Sequence, residues 1–407
     1  MPLTRRQIYR RRRIAFFTAL FLFLAGLIYV LSAGFAPVQP AAAVVTQPAA
    51  LTAPAAQPVW PGVGASAIGA LGFPGVLASS GEQTAVPIAS ITKMVTALVI
   101  LDAKPLTGDE PGPTITFTDD DVDIYYDVIA ENGSVAPVVA GMELSQREAF
   151  TAMLLPSANN YSVSMAVWAY GSLDSYYAAA DAWLQENGLT GTVVADTSGL
   201  SPESVSTPSD LVALGKLVLD EPALASIVAQ KSADLPTIGT VKNTNKLLGK
   251  HGVDGIKTGT TDEAGACLLF SADFEVDGKT ITVVGVMLGA DTHPELNDAI
   301  TALIESVKPG FRQVPLTDKG TVYGSYTTPW GQTANAVAAE AASALVWSDT
   351  PIAGVVDASP VPLADAGDQV GTVDFSVGDS RISVPLVLDT ALTDPGLGWR
   401  LANPGGL

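Results

Sequence analysis

Apolar positions recur along this chain in three different rhythms. From Ile14 to Ala33 they are continuous, IAFFTALFLFLAGLIYVLSA, a run of the length that crosses a bilayer as one helix. From about residue 90 to 220 they return at helical spacing. The segment ITKMVTALVIL places apolar side chains at 91, 94, 95, 98 and 101, with Ser90 at its N-terminal end. Ser145-Gln-Arg-Glu148 has the form of a capping box and opens a second helical stretch, AFTAMLL, that stops at Pro156. A third helix is predicted from Asn160 through Trp168, and a fourth from Asp210 to Leu219 behind Thr207-Pro208-Ser209. After Gly255 the period becomes that of strands. Ala266 to Ala272 and Thr280 to Leu288 form a hairpin pattern around Asp277-Gly278, and a weaker hairpin signal runs from Ala65 to Ala70 and Val76 to Ser80. Helices in the middle with strands at both ends predict an α+β domain over residues 62–310, a sheet covered by a helical layer. Across 311–407 short β-patterned stretches (Thr321 to Tyr326, Gln369 to Val377, Ile382 to Leu388) predict a smaller all-β domain.

Charge changes the picture once it is divided along the chain. Arg5, Arg6, Arg10, Arg11, Arg12 and Arg13 make residues 1–13 a basic segment, and residues 14 to 81 contain no charged side chain. From Glu82 on, 15 basic residues face 41 acidic ones, a net of −26. That sign excludes a nucleic-acid partner. The arginine cluster before the apolar run predicts a single-pass signal-anchor over 14–35, with everything beyond it outside the cell membrane. A cleaved signal peptide is the rival, with cleavage in a stretch such as Pro40 to Val44. Residues 36–61, rich in Pro and Ala, read as a semi-extended tether. Cys267 is the only cysteine, so no internal disulfide, thiol chemistry or zinc–cysteine site is expected.

Few residues offer chemistry. His251 and His293 are the only histidines, stand in no metal-ligand spacing, and read as surface or loop residues. The acidic run Asp119, Asp120, Asp121, Asp123 lacks the spacing of a calcium loop and reads as a solvated turn or helix start after Thr118. No metal and no cofactor are assigned. Ser90-Ile-Thr-Lys93 is more informative, because positions i and i+3 of a helix share a face. A serine hydroxyl needs a base to take its proton, and a lysine is that base only when burial or a second cation lowers its pKa. Alone, the pattern also fits a helix cap beside an exposed lysine. Two further tripeptides occur in the contexts such chemistry needs: Ser157-Ala-Asn159, just beyond the Pro156 stop, and Lys257-Thr258-Gly259, opening what reads as an edge strand.

With SITK, SAN and KTG in that order the sequence resembles the penicillin-binding serine D,D-peptidases, and its surroundings (AFTAMLLPSANN, DTSGLSP, STPSDLVALG, GVDGIKTGTTDEAGACLLFSA) resemble the low-molecular-mass D-alanyl-D-alanine carboxypeptidases, the S11 peptidases. The resemblance covers about residues 62 to 310. It implies a β-lactamase/transpeptidase-like domain, an antiparallel sheet covered by helices. It also implies a D-alanyl-D-alanine carboxypeptidase that trims peptidoglycan stem peptides and binds β-lactams. In that reading Ser90 is the nucleophile, Lys93 the general base, Ser157 a proton relay and Asn159 an orienting group. Lys257 is the electrostatic partner, and Thr258, Gly259 and Thr260 bind substrate. The backbone N–H groups of Ser90 and Thr260 would receive the oxyanion. Relatives carry an arginine on the next strand for the terminal carboxylate, and Lys279 is the substitute available here. A D,D-endopeptidase or β-lactamase on the same fold, or a catalytically silent wall-binding protein, are the alternatives. No Glu-x-x-Leu-Asn segment follows Ser157, so slow release of a penicillin adduct is expected.

Overall fold

The computed structural model describes residues 4–407. Its packing divides into two compact units: residues 56–311, and a second unit assembled from both ends of the chain, up to Ala55 and from Arg312 on. Helix α1 (Arg5–Phe35) starts at a capping box in which the Thr4 N–H donates to Gln7 Oε1 at 3.0 Å. Among the described residues it is the one helix long and apolar enough to cross a membrane, and apart from Ala33 its side chains are not buried. Strand β1 (Ala43–Val45) follows.

In the unit 56–311, β2 (Ala65–Ala70) and β3 (Ala78–Ser80) precede helices α2 (Thr92–Ala103), α3 (Asn159–Tyr170) and α4 (Pro208–Asp220). Strands β4 (Val253–Thr261), β5 (Gly265–Val276) and β6 (Lys279–Ala290) and helix α5 (His293–Val307) complete it. The sheet is antiparallel in the order β4-β5-β6-β2-β3, so β4 is an edge. Asp277 and Gly278 turn β5 into β6 with φ of 49° and 78°, the two left-handed residues of the tight turn that this dipeptide favours. Helix α2 is buried from Thr92 through Leu101 and is therefore a central helix, not an amphipathic surface one. Helix α4, capped by Thr207, lies on the sheet at Gly215, where a Cβ would stand 2.5 Å from Val284. The acidic run opens the helix Asp119–Ala130, where the Asp121 carboxylate accepts the Thr118 N–H at 2.7 Å.

The second unit holds β7 (Val322–Thr327), β8 (Thr333–Ala338), β9 (Ile352–Ala358), β10 (Gln369–Val377), β11 (Ser380–Leu388) and a short helix, α6 (Leu397–Ala402). Its main sheet runs β1-β7-β8-β11-β10-β9. Val373 and Phe375 of β10 and Val384, Leu386 and Leu388 of β11 alternate inward to make its core.

One expectation needs correction. Residues 36–55 are not a free tether: Ala43 and Val45 pair with Tyr326 and Gly324, Ala41 bridges Val361, and Leu51 bridges Ile352. Small and β-branched side chains suffice here because the edge of an existing sheet supplies the backbone partners, which a composition reading does not see. The strands of the second unit are accompanied by the short helix α6. Helix α6 packs on α1, with the Tyr29 hydroxyl donating to the Leu401 carbonyl at 2.7 Å and the Arg400 guanidinium reaching the carbonyls of Ala33 and Ala36 at the end of α1.

Candidate active site

Ser90 lies in a 3-10 turn, Ala89–Ile91, that feeds directly into α2. Ile88, Ala89, Ile91 and Met94 around it are fully buried, so the turn is held by the core rather than by solvent. Lys93, one turn on, is itself fully buried. Its Nζ is 2.8 Å from Ser90 Oγ, 2.7 Å from Asn159 Oδ1 and 3.0 Å from the Ser198 carbonyl. The last two partners only accept. A neutral amine has two hydrogens and one lone pair, so donating to Asn159 and Ser198 leaves the lone pair directed at the Ser90 hydroxyl. Burial holds the Lys93 amine well below its ordinary range, the Lys257 charge pushes the same way, and Asp196 opposes them.

Pro156 ends the helix Gln146–Leu154, and the chain turns through Ser157 into α3, with the Asn159 N–H held by the Ser134 carbonyl at 2.7 Å. Ser157 has a φ of 64°, and its Oγ is buried without a hydrogen-bond partner. An unpaired buried hydroxyl on a left-handed residue costs stability, a combination that persists where function requires it. Asn160, next along, is structural: its amide exchanges both of its hydrogen bonds with the backbone of Ala136.

The edge strand β4 closes the site. A Cβ on Gly259 would meet the Ile88 carbonyl at 2.8 Å, Ala89 Cβ at 3.1 Å and the Ser90 nitrogen at 3.3 Å, so only glycine lets β4 lie this close to the Ser90 turn. Lys257 is buried and donates to the Thr258 carbonyl at 3.1 Å; burial pushes its amine down to about 7. Thr258 and Thr260 point to the other side of the strand by its period of two. Thr258 Oγ1 meets Thr244 Oγ1 at 2.5 Å, and the exposed Thr260 hydroxyl meets His293 Nε2 at 2.6 Å. Ser90, Lys93, Asn159 and the Lys257–Gly259 strand thus share one site, and Ser157 stands two residues before Asn159 on the same loop. Lys279 does not belong there. It pairs with Val276 beside the hairpin turn, whereas Met287, opposite Leu268, is the β6 residue at the level of Thr258. Eight positions along a strand is about 26 Å.

Three residues that bear on the site carried no assigned role in the sequence. Asp196 accepts from the N–H groups of Ser198, Gly199 and Leu200 and from the hydroxyls of Ser198 and Ser204, and so fixes the carbonyl that holds Lys93. Asp-x-Ser-Gly is a local turn signal that could have been read. Gly199, at φ 77°, stands where a Cβ would strike the Ala89 carbonyl at 1.8 Å. His293, expected as a surface or loop residue, is half-buried at the start of α5, and its Nε2 meets the Thr260 hydroxyl.

The motif geometry agrees with what is known of other proteins. The S11 peptidase family model, D-alanyl-D-alanine carboxypeptidase, matches residues 74–292. A D-alanyl-D-alanine endopeptidase of Pseudomonas aeruginosa is 32% identical over 226 residues, 54% of this chain and 69% of that one. A D-alanyl-D-alanine carboxypeptidase of Bacillus subtilis is 27% identical over 234 residues, 56% of this chain and 57% of that one. Among solved structures, a Streptomyces DD-transpeptidase superposes with a TM-score of 0.54 at 25% identity, covering 61% of this chain and 98% of its own. A peptidoglycan synthesis regulatory factor of Streptococcus pneumoniae reaches 0.60 at 21% identity over 81% of this chain and 98% of its own, a likeness of fold. With family, fold and motif order in agreement, the chain is a serine hydrolase and belongs to the S11 peptidases, the D-alanyl-D-alanine carboxypeptidase family.

Proposed function

We propose that this protein is a membrane-anchored D-alanyl-D-alanine carboxypeptidase acting on peptidoglycan stem peptides through an acyl-enzyme on Ser90. The observation that carries the reading is the buried Lys93 amine, whose two other partners only accept and whose remaining position faces the Ser90 hydroxyl. Ser90 Oγ attacks the carbonyl of the penultimate D-alanine while its proton passes to Lys93 Nζ. The C–N bond breaks, Ser157 hands its proton to the departing D-alanine amine and takes the proton held by Lys93 in its place, so the peptide remains as an ester on Ser90 and Lys93 is neutral again. Water then attacks the ester while its proton passes to Lys93, the C–Oγ bond breaks, and Lys93 returns that proton to Ser90, releasing the shortened peptide as its acid. The N–H groups of Ser90 and Thr260 receive the oxyanion, and the Lys257 charge favours it while keeping Lys93 neutral. Thr258 and Thr260 hold the terminal carboxylate, Gly259 lets β4 lie against the Ser90 turn so that a peptide paired along its free edge comes within reach of Ser90, and Asn159 keeps the Lys93 hydrogens directed away from Ser90.

The P. aeruginosa relative is an endopeptidase, which makes cleavage of cross-links the second reading. Mass analysis of a stem pentapeptide and a cross-linked dimer after incubation separates the two: loss of one alanine from the pentapeptide is expected, and cutting of the dimer alone would transfer the assignment. Labelling by a fluorescent penicillin is expected to be covalent, slow to reverse and absent in Ser90→Ala. Rapid turnover of the penicillin would mean a β-lactamase, and absence of labelling a silent wall-binding protein.

Anchoring by α1 is supported by its fit to the second unit. Cleavage between Pro40 and Val44 would cut the segment that pairs with Val361 and β7, and would remove the carbonyls that Arg400 holds. The N-terminal mass of protein extracted from membranes tests this; a mature end beyond residue 40 would overturn it.

A further inference from the structure

Among the described residues, the side chain that meets the Thr260 hydroxyl is an imidazole, with His293 Nε2 at 2.6 Å. His293 opens α5 behind its Thr292 cap, half-buried, at a point where β6 supplies no cation. A hydroxyl has one hydrogen, and its partner decides where that hydrogen goes. If Nε2 carries no proton, Thr260 donates to it and shows only lone pairs to the cleft, which repel a carboxylate. If Nε2 is protonated, Thr260 accepts from it and its own hydrogen is free for the carboxylate. Burial and neighbouring charge favour the uncharged ring while the site is empty, and with its hydrogen on Nδ1 that ring is the first case. Burial holds the imidazole below its usual value, and the charge of Lys257, on β4, pushes the same way. The positive end of α5 works in the same direction. Asp262 and Glu263 on the turn after β4, and Asp291 and Glu295 on its own loop and helix, are exposed. Asp273, Glu275 and Lys279 stand near the other end of β5 and β6, by the Asp277-Gly278 turn, and Lys308 lies beyond the far end of α5.

We propose that His293 is a positioning residue for the terminal carboxylate of the substrate: it sets the direction of the Thr260 hydroxyl and takes up one proton from solvent when that carboxylate binds. The inference rests on the carboxypeptidase reading, and names the residue that makes carboxylate binding proton-linked. The bound anion favours the imidazolium, so the ring titrates higher in the complex than in the free protein. Affinity for an acid-ended ligand therefore rises as pH falls from the bound value to the free one, and levels off outside that window. Glutamine at this position reaches as far as Nε2 and keeps an N–H for Thr260, but does not titrate.

The test is equilibrium binding of a D-alanyl-D-alanine-ended peptide and its C-terminal amide to the full-length Ser90→Ala protein between pH 5.5 and 8, alone and combined with His293→Gln or His293→Ala. With His293 present, preference for the acid over the amide is expected to grow by about tenfold across the window, as the gain of one charge-assisted contact would produce. With His293→Gln the preference keeps only the dependence due to Lys257, and with His293→Ala it falls about tenfold at pH 6 while amide binding holds. A merely structural role would weaken acid and amide together and leave the slope alone. Superimposable pH profiles for the His293 and His293→Gln proteins would overturn the proposal. Absence of any preference for the acid in all three would instead sink the carboxypeptidase reading beneath it.

Discussion

Between residues 56 and 311 the interior encloses two lysines, Lys93 and Lys257, together with Ser157, Asn159 and Thr258, whereas the other unit buries, among its described residues, only Thr317, Thr328 and Arg400 as polar side chains. Arg400 is paired with Asp394, but neither buried lysine forms an ion pair. Their partners are a hydroxyl, an amide and carbonyls. Interiors normally place a charge beside its opposite or exclude it. The difference teaches that the first unit accepts a cost in stability to keep amines at low pKa, while the β unit, with alternating apolar strands, carries no comparable burden. Substitutions should therefore separate the two, with the largest effects on chemistry in one and on stability alone in the other.

Lys93→Ala should produce the largest change. A positioned general base is worth about 10²–10⁴-fold, so the second-order rate of labelling by fluorescent penicillin should fall by about 10³ with the melting temperature unchanged or raised. A loss smaller than tenfold would move the base elsewhere and remove the reason for burying the amine.

Lys257→Met sharpens the contrast, because here activity and stability should move in opposite directions. The Lys257 amine titrates at about 7 in the folded protein. Unfolded, it titrates near its ordinary value of about 10.4. Between those values the unfolded chain holds the extra proton, so stability rises with pH across the window. Below pH 7 both forms are protonated and the penalty is complete, of the order of 4–5 kcal/mol at 1.36 kcal/mol per unit. Methionine removes it. Melting curves should show the variant more stable at pH 6–7, the advantage shrinking toward pH 10, while acylation falls about 10²-fold as an electrostatic contributor is lost. A variant less stable than the parent at pH 6 would break the comparison.

How far these roles can be read without coordinates follows the range of the contacts involved. The Ser90 turn, α2 and the β5–β6 hairpin are local, and periodicity with Asp277-Gly278 places them. Lys93 was assignable because its partner stands three residues away. Asp196 and Ser198 complete the same amine from over a hundred residues on, and nothing in their spacing connects them to it. His293 had no motif at all, since its partner Thr260 lies across the β5–β6 hairpin. The segment 36–55 follows the same rule: its composition says tether, and only the edge of β7 makes Ala43–Val45 a strand.

Phe375→Ala tests the other half of the contrast. The ring is buried in the core of the β unit with Val373, Val384 and Leu386. Truncating a core phenylalanine costs about 3–5 kcal/mol. Unfolding of that unit should shift accordingly in denaturant titrations, while penicillin labelling of the folded protein stays within about twofold, since no active-site residue lies in its core. A loss of labelling equal to that of Lys93→Ala would show that the β unit supports the site, and the two halves could no longer be treated as differently built.

Arg381→Ala should give the smallest effect. Arg381 Nη2 meets Asp374 Oδ2 at 2.6 Å across the β10–β11 hairpin, and the contact holds the Asp374 carboxyl below the usual carboxylate range. The arginine, however, is 70% exposed. Its attraction is spent against water and salt, and ordering so long a side chain opposes what remains. Because the Asp374 pKa is lowered in the folded state, any stabilisation is present above the ordinary carboxylate value and fades as pH falls through the lowered one. The melting temperature at pH 7 should drop by under about 3 °C, less in 0.5 M salt, and the difference should vanish in strong acid. A larger, salt-insensitive drop would mean that the β unit too depends on a charge, and that the burial of unpaired lysines is not what distinguishes the catalytic unit from it.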